Sequence, residues 1–369
     1  MNENKLNEIP EVMMAVQLTG NGGTEKLSVQ HDILVPKIGE DEVLIRVKTC
    51  GINNTDINTR VGWYSKSVTD ATSSKGFGQI EDEQTWGGEK FSFPRIQGAD
   101  ICGIVVDVGK NVDDRLIGRR ALVDPCIRDP KSENWRDNAK YLGSEINGAF
   151  AQYCAVPFRN THLINSEMTD IELASFPCSW ATAEHMLTRS RLRQGQTLVV
   201  TGASGGVGTA LIQLAKLRQA YVIAITSLEK FDLVRECGAD SVLDRNETEL
   251  KSNIIELAQG PVDVLADVVG GNNFVQLFEL IAKGGCYVTA GAIAGPIVDL
   301  DLRTLYLNDI EMHGCTVYDP AVFKTLIEHI ENERVKPIIG GVFRLEEIRQ
   351  AQEEFSKKQH VGAMVLTVD

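Results

Sequence analysis

Residues 197–227 read TLVVTGASGGVGTALIQLAKLRQAYVIAITS, and the order of elements in that stretch decides the fold. A short apolar run, TLVV, ends at a glycine. A helical stripe follows, with Val207, Ala210, Leu211, Leu214 and Leu217 on one side. A second apolar run, YVIAITS, closes the unit. Strand, small-residue turn, helix and strand in this order make a βαβ unit. At the junction stand Ala203, Ser204, Gly205, Gly206, Val207 and Gly208. They form the dinucleotide fingerprint, with alanine in the first glycine slot. The first small residue permits the tight turn, Gly205 lets the backbone approach a pyrophosphate, and Gly208 lets the helix pack close to the strand. Free N–H groups and the helix dipole then hold phosphates. A functionless glycine-rich turn is the competing reading, and it explains glycines at 205, 206 and 208 poorly.

The end of the second strand bears on which dinucleotide binds. An NAD site usually carries Asp or Glu there, on the ribose 2′-OH. Here the strand ends Thr226-Ser227, with no carboxylate before Glu229. Two hydroxyls followed by Lys230 suit a 2′-phosphate, so NADPH is predicted over NADH. An ordinary solvated lysine is the other reading of Lys230.

Working outward, residues 177–317 continue as alternating apolar runs and helical segments: GADSVLD, VDVLADVVGG, GGCYVTAGA and DIEMHGCTV. That pattern predicts a doubly wound, open parallel sheet with helices on both faces. The N-terminal third has a different pattern. EDEVLIRVK alternates Val43, Ile45 and Val47 with polar neighbours, and DICGIVVDVG, RRALVD and GAFAQYCAVPF repeat the theme. An antiparallel, barrel-like β domain is expected. Between Tyr64 and Phe93 the chain is polar, Gly/Ser-rich and aperiodic, which reads as a lid, a binding loop or disorder, with Trp86 and Phe77 favouring packing over disorder. Its aromatics Trp63, Phe77, Trp86 and Phe91 read either as a mostly apolar acceptor pocket or as simple packing of the loop. The last fifty residues hold two amphipathic helices and the strand AMVLTV.

Composition narrows the function classes. The chain has 369 residues, with 37 basic and 51 acidic, a formal charge of −14. An acidic balance disfavours nucleic acid or an anionic membrane as partner. No apolar run reaches the length of a membrane span, and the opening MNENKLNEIPEV does not read as a signal peptide. Eight scattered cysteines in apolar contexts predict buried, reduced thiols and a cytoplasmic protein.

The whole chain resembles the medium-chain dehydrogenase/reductase superfamily, on CGINNTDINTR, PRIQGADICGIVVDVG, GAFAQY, ATAEHML, TGASGGVGTALIQLAK and VGAMVL. The resemblance implies a GroES-like β-rich catalytic domain built from both chain ends (1–176 and 318–369) and a Rossmann domain between them (177–317). The zinc-dependent members ligate their metal at positions matched here by Asn53, Ala99 and Cys178. Two of these are poor ligands or none, and catalytic zinc needs about three. The four-cysteine zinc lobe is also missing, so no metal is expected. The zinc-free quinone oxidoreductases are the nearer pattern. That branch implies hydride transfer to a quinone or α,β-unsaturated carbonyl, with positioned donors at the developing oxyanion.

Asn53, Asn58 and Tyr64 are the candidate catalytic residues. As structure alone they would be a turn residue, a helix-surface residue and a core aromatic. The branch commonly has tyrosine at the position of Asn58. Thr182 resembles the threonine beside the nicotinamide ring; Gly291, Ala292 and Ile293 should pass its carboxamide. Asp267, Val269 and Gly270 should lie near or support the adenosine side. The usual glycine-lysine pair near the C-terminus is Gly362-Ala363 here, which removes one basic contact. Cys178 reads better as a buried thiol than as a nucleophile. The superfamily commonly dimerises through the edge of the Rossmann sheet, so a homodimer or homotetramer is expected, with DIEMHGCTV as that edge. The alternatives are a zinc-type alcohol or carbonyl dehydrogenase with an altered site, and an NADPH-binding protein without turnover.

Overall fold

The computed structural model describes residues 9–72, 85–88 and 90–368. Strand Glu42–Ile52 is the hub of the β-rich half. It pairs antiparallel with Cys102–Val108, Tyr153–Pro157 and Ala363–Thr367. The alternation of Val43, Ile45 and Val47 understates its burial, because Leu44, Cys50 and Ile52 are buried as well. Neighbours on both faces remove the solvent side that a simple period-two strand would have. Strands Arg120–Val123 and Thr161–Leu163 extend the sheet on one side, and Ile339–Arg344 on the other. Leu18, Ile45, Ile101 and Phe150 fill its core.

The other half is a six-stranded, all-parallel sheet. Across it lie Ser241–Asp244, Tyr221–Thr226, Thr197–Val200, Val262–Asp267, Ile281–Thr289 and Glu311–Gly314. In chain order that is third, second, first, fourth, fifth, sixth, the dinucleotide-binding arrangement whose crevice opens where the order reverses. Strand Glu311–Gly314, within the predicted DIEMHGCTV, is one edge of the sheet, and Ser241–Asp244 is the other. Val199, Val200, Val222 and Val264 are buried because helices cover both faces. Helix Gly206–Leu217 buries Ala210, Leu211 and Leu214 as its stripe predicts. Leu217, at the helix's last residue, is instead exposed.

After the parallel sheet the chain returns. Helix Pro320–Glu331 packs beside helix Pro177–Ser190. Helix Ile348–Ser356 then leads to strand Ala363–Thr367, which inserts between Glu42–Ile52 and Ile339–Arg344. The β-rich half is thus sealed by a strand from the far end of the sequence.

Three aromatics of this region follow the packing reading, and the acceptor-pocket reading is corrected for them. Phe91 is in the β core and packs on Phe93 with centroids 4.5 Å apart. Trp86 stacks on Tyr141 at 4.7 Å, and Trp63 donates its indole N–H to the Asp70 carbonyl. None of the three lines the main cavity; each ring finds a nearer apolar surface or acceptor within its own half. Phe77 lies outside the described residues. All eight cysteines are buried and unpaired.

Candidate active site

A cavity of about 400 Å³ lies between the halves. One wall is the turn from strand Thr197–Val200 into helix Gly206–Leu217. The left-handed residue of this turn is Gly202, at φ +58°, and not the residue in the first motif slot. Ala203 is therefore tolerated: the glycine that makes the bend precedes it. Ala203 is fully buried and does not line the cavity. Its Cα would lie 2.5 Å from a Cβ on Gly208, and the Gly202 carbonyl 2.4 Å; Gly208 is thus the close packing point of helix on turn. A Cβ on Gly205 would meet only the Gly202 carbonyl, at 3.6 Å, and would stand in open space. That open backbone at a helix start is where a pyrophosphate fits. Ser204, Gly206 and Val207 complete the wall.

The floor continues along Thr226, Ser227 and Lys230 to Val269 and to Gly291, Ala292 and Ile293. The two loops behind are zipped together, the Ala294 N–H donating to the Val269 carbonyl at 2.9 Å. Asp267 fixes the first of them: it accepts from Thr201 Oγ1 at 2.5 Å, from the Val269 N–H at 2.9 Å and from the Tyr287 hydroxyl at 3.0 Å. Its part is support, one of the two roles expected for it. Thr182 borders the cavity and donates to the Cys178 carbonyl at 2.7 Å.

The corner beyond the second strand is cationic. Lys230 is 7% exposed, so it is no solvated lysine. Its Nζ donates to the Lys358 carbonyl, and burial lowers its pKa. Arg245, Lys358 and His360 line the same cavity. Sequence reading missed all three, since no motif marks them and they arrive on separate segments. One carboxylate is near: Ser227 donates its hydroxyl to exposed Glu229 at 2.5 Å, which lowers the Glu229 pKa.

At the opposite end stand Asn53, Asn58 and Tyr64, brought together by helix Asn54–Val61 and the turn after it. Asn53 donates its side-chain amide to Asp100 at 2.9 Å and its backbone N–H to Asp56 at 2.8 Å. It is both turn residue and cavity residue. Asp100 also accepts the Cys178 N–H at 2.6 Å. Burial pushes both carboxyls up to about 7, against the hydrogen bonds they accept. Asn58 is buried rather than on the helix surface, and its Oδ1 accepts from Thr72 Oγ1 at 3.1 Å. Its amide also hydrogen-bonds the Tyr64 hydroxyl, whose pKa is raised by burial.

The positions matched to metal ligands do not suit zinc. Asn53 offers a neutral amide and Ala99 offers no donor atom, so Cys178 is the one thiol among the three positions and falls short of the about three ligands that catalytic zinc needs. His185, in helix Pro177–Ser190, keeps a buried Nε2 without a hydrogen-bond partner among the described residues, and burial, followed by the charge of Arg189, pushes its pKa down to about 4.

Residues 39–166 match the alcohol dehydrogenase GroES-like domain, and residues 206–332 the zinc-binding dehydrogenase domain. An NAD-dependent alcohol dehydrogenase of Sulfolobus acidocaldarius is 29% identical over 350 residues, 92% of this chain and 95% of that protein. An NADPH-dependent alkenal/one oxidoreductase of Arabidopsis thaliana is 28% identical over 362 residues, 97% of this chain and 80% of that protein. A crystal structure from Sinorhizobium meliloti, whose own alcohol dehydrogenase assignment is provisional, superposes with a TM-score of 0.89 at 41% identity, over 99% of each chain. With its GroES-like and Rossmann halves and the dinucleotide cavity between them, the chain is an oxidoreductase of the medium-chain dehydrogenase/reductase superfamily.

Proposed function

We propose that this protein is an NADPH-dependent, zinc-independent reductase of quinones or α,β-unsaturated carbonyls. The observation that carries the reading is the pairing of two sites in one cavity. The corner after Ser227 gathers Lys230 and Arg245, and the metal-ligand positions hold Asn53, Ala99 and a buried thiol. Cations and hydroxyls suit a 2′-phosphate. Without a Lewis acid, an acceptor that is already electron-poor is the substrate class this set of groups can serve. The Arabidopsis relative acts on alkenals and alkenones with NADPH.

When bound, reduced nicotinamide supplies a hydride to the acceptor's β-carbon. Thr182 and residues 291–293 border the ring's place and set its distance from the acceptor. Tyr64 and Asn58 work as a pair. Asn58 is anchored by Thr72, whose N–H in turn donates to the Ile293 carbonyl at 3.0 Å. The Asn58 amide bonds the Tyr64 oxygen and leaves the phenolic proton free for the carbonyl oxygen on which charge develops. With its pKa raised, Tyr64 stays protonated at neutral pH. Asn53 holds its amide at the same end through Asp100. The α-carbon proton comes from solvent. The edge strand Glu311–Gly314, flanked by exposed Leu302, Tyr306 and Leu307, supports a homodimer built across that edge.

A second reading is favoured by the Ser227–Glu229 contact. A carboxylate at this corner suits the free ribose hydroxyls of NAD, the coenzyme of the Sulfolobus alcohol dehydrogenase. Dissociation constants for NADPH and NADH, with turnover of an enone, a quinone and a secondary alcohol before and after chelator dialysis, decide between them. Tighter NADPH, enone or quinone turnover indifferent to chelation, and a Tyr64→Phe variant with kcat lowered by roughly 10²-fold at unchanged NADPH affinity are expected. Tighter NADH, or alcohol turnover that needs zinc, overturns the proposal. NADPH binding without turnover of any acceptor makes the chain a binding protein.

A further inference from the structure

We propose that Lys358 is the cation for the dinucleotide's pyrophosphate, supplied to the nucleotide-binding turn from the β-rich half. The inference rests on the reading that the cavity takes a dinucleotide, and extends it to a residue that no motif marks.

Lys358 is a cation without an anion. Among the described residues its ammonium has no ion pair and donates only to a neutral acceptor, Asn54 Oδ1, at 2.7 Å. Its Nζ lies 3.8 Å from the centroid of the Phe355 ring. The titratable groups facing it are Lys230, which is of like sign, and His360. A largely desolvated ammonium in such company is costly unless an anion joins it. The backbone presents it deliberately: Lys358 adopts φ +55°, and the Lys230 ammonium caps its carbonyl.

Placement selects the pyrophosphate over the 2′-phosphate. The Lys358 carbonyl is tied to Lys230, at the end where the second strand finishes. Its ammonium bonds Asn54, the residue after Asn53 at the reacting end. Carbonyl and ammonium of this one residue thus touch cavity-lining groups from both ends. A short distance along the chain, Gly362 bridges to Gly205, and its N–H donates to the Ser204 carbonyl at 2.8 Å. The Lys358 turn and the phosphate-binding turn are thus joined by backbone. Helix N–H groups would hold the pyrophosphate on one side, and this lysine on the other.

The charge of Lys358 is labile, since burial and Lys230 push its pKa down to about 7. His360, pushed to about 4, is neutral across the same range. A bound diphosphate favours the protonated lysine, so affinity falls as pH rises past 7.

ADP-ribose, which carries the pyrophosphate alone, and 2′-AMP, which carries the 2′-phosphate alone, separate the sites by calorimetry. Lys358→Met is expected to weaken ADP-ribose by roughly 10- to 100-fold and to leave 2′-AMP unchanged. Lys358→Arg should restore most of the loss. Between pH 7 and 9 the wild-type constant for ADP-ribose should rise, and in Lys358→Met that slope should vanish. Melting temperature without ligand checks the fold of each variant. If wild type binds neither ADP-ribose nor NADPH, the dinucleotide reading itself fails. If wild type binds ADP-ribose and a folded Lys358→Met binds it equally well, or loses 2′-AMP in parallel, the assignment of Lys358 fails alone.

Discussion

Asp56 and Asp100 are two buried carboxyls with no cation beside them among the described residues, each held by N–H donors. The donors do not fully offset desolvation, and both pKa values stand near 7 rather than the ordinary 3.8. Between pH 4 and 7 the native state therefore binds more protons than the unfolded chain. Stability falls as pH rises through that window. Asn cannot ionise, so Asp100→Asn removes one such group while keeping an acceptor for the Cys178 N–H. Melting scans at pH 5 and 8 should show wild type losing stability toward pH 8 and Asp100→Asn losing less. The difference should be at most about 1.4 kcal/mol per pH unit. An equal or steeper loss in the variant would mean the carboxyl is already ionised at pH 5.

At the scale of elements, the turn into helix Gly206–Leu217 divides two duties between two glycines. A Cβ at Gly208 would meet backbone atoms at 2.4 and 2.5 Å, which cannot swing aside. Gly208→Ala should cost about 1–3 kcal/mol of stability and coenzyme affinity as well. A Cβ at Gly205 meets nothing closer than 3.6 Å and points into the space a pyrophosphate needs. Gly205→Ala should keep the melting temperature and lose coenzyme binding. Thermal scans with and without NADPH read both, and a stable Gly208→Ala would show that the helix can shift. This unit was legible in the sequence because parallel strands buried on both faces leave unbroken apolar runs, and because the helix start needs small residues. Gly202's role was not, since no residue type announces a positive φ when glycines crowd together. Arg245 and Lys358 were not legible either. Their meaning comes from meeting Lys230 in space, and neither is near it in the chain. The aromatics around the insertion misled for the opposite reason: residues close in sequence dispersed to separate partners.

At the scale of the whole molecule, an exposed apolar surface precedes an edge strand of the parallel sheet. Leu302, Tyr306 and Leu307 are each more than 60% exposed, beside the free edge of strand Glu311–Gly314. Unpaired strand edges with apolar flanks are templates for pairing. A second copy is the expected occupant, so light scattering should give twice the monomer mass or a higher even multiple. Leu302→Glu with Tyr306→Glu should shift the protein toward monomer. A wild-type monomer would end that expectation.

The same view of the molecule bears on how it is made. Leu366 pairs with Cys50, and Thr367 with Thr49, about 300 residues earlier. During synthesis the parallel sheet can assemble as soon as its own strands emerge. The β barrel must wait with a gap beside Glu42–Ile52 until Ala363–Thr367 arrives to occupy it. A ribosome that stalls or stops short of this strand releases a chain whose coenzyme half is formed and whose other half bears an open seam. Such chains are natural clients for chaperones.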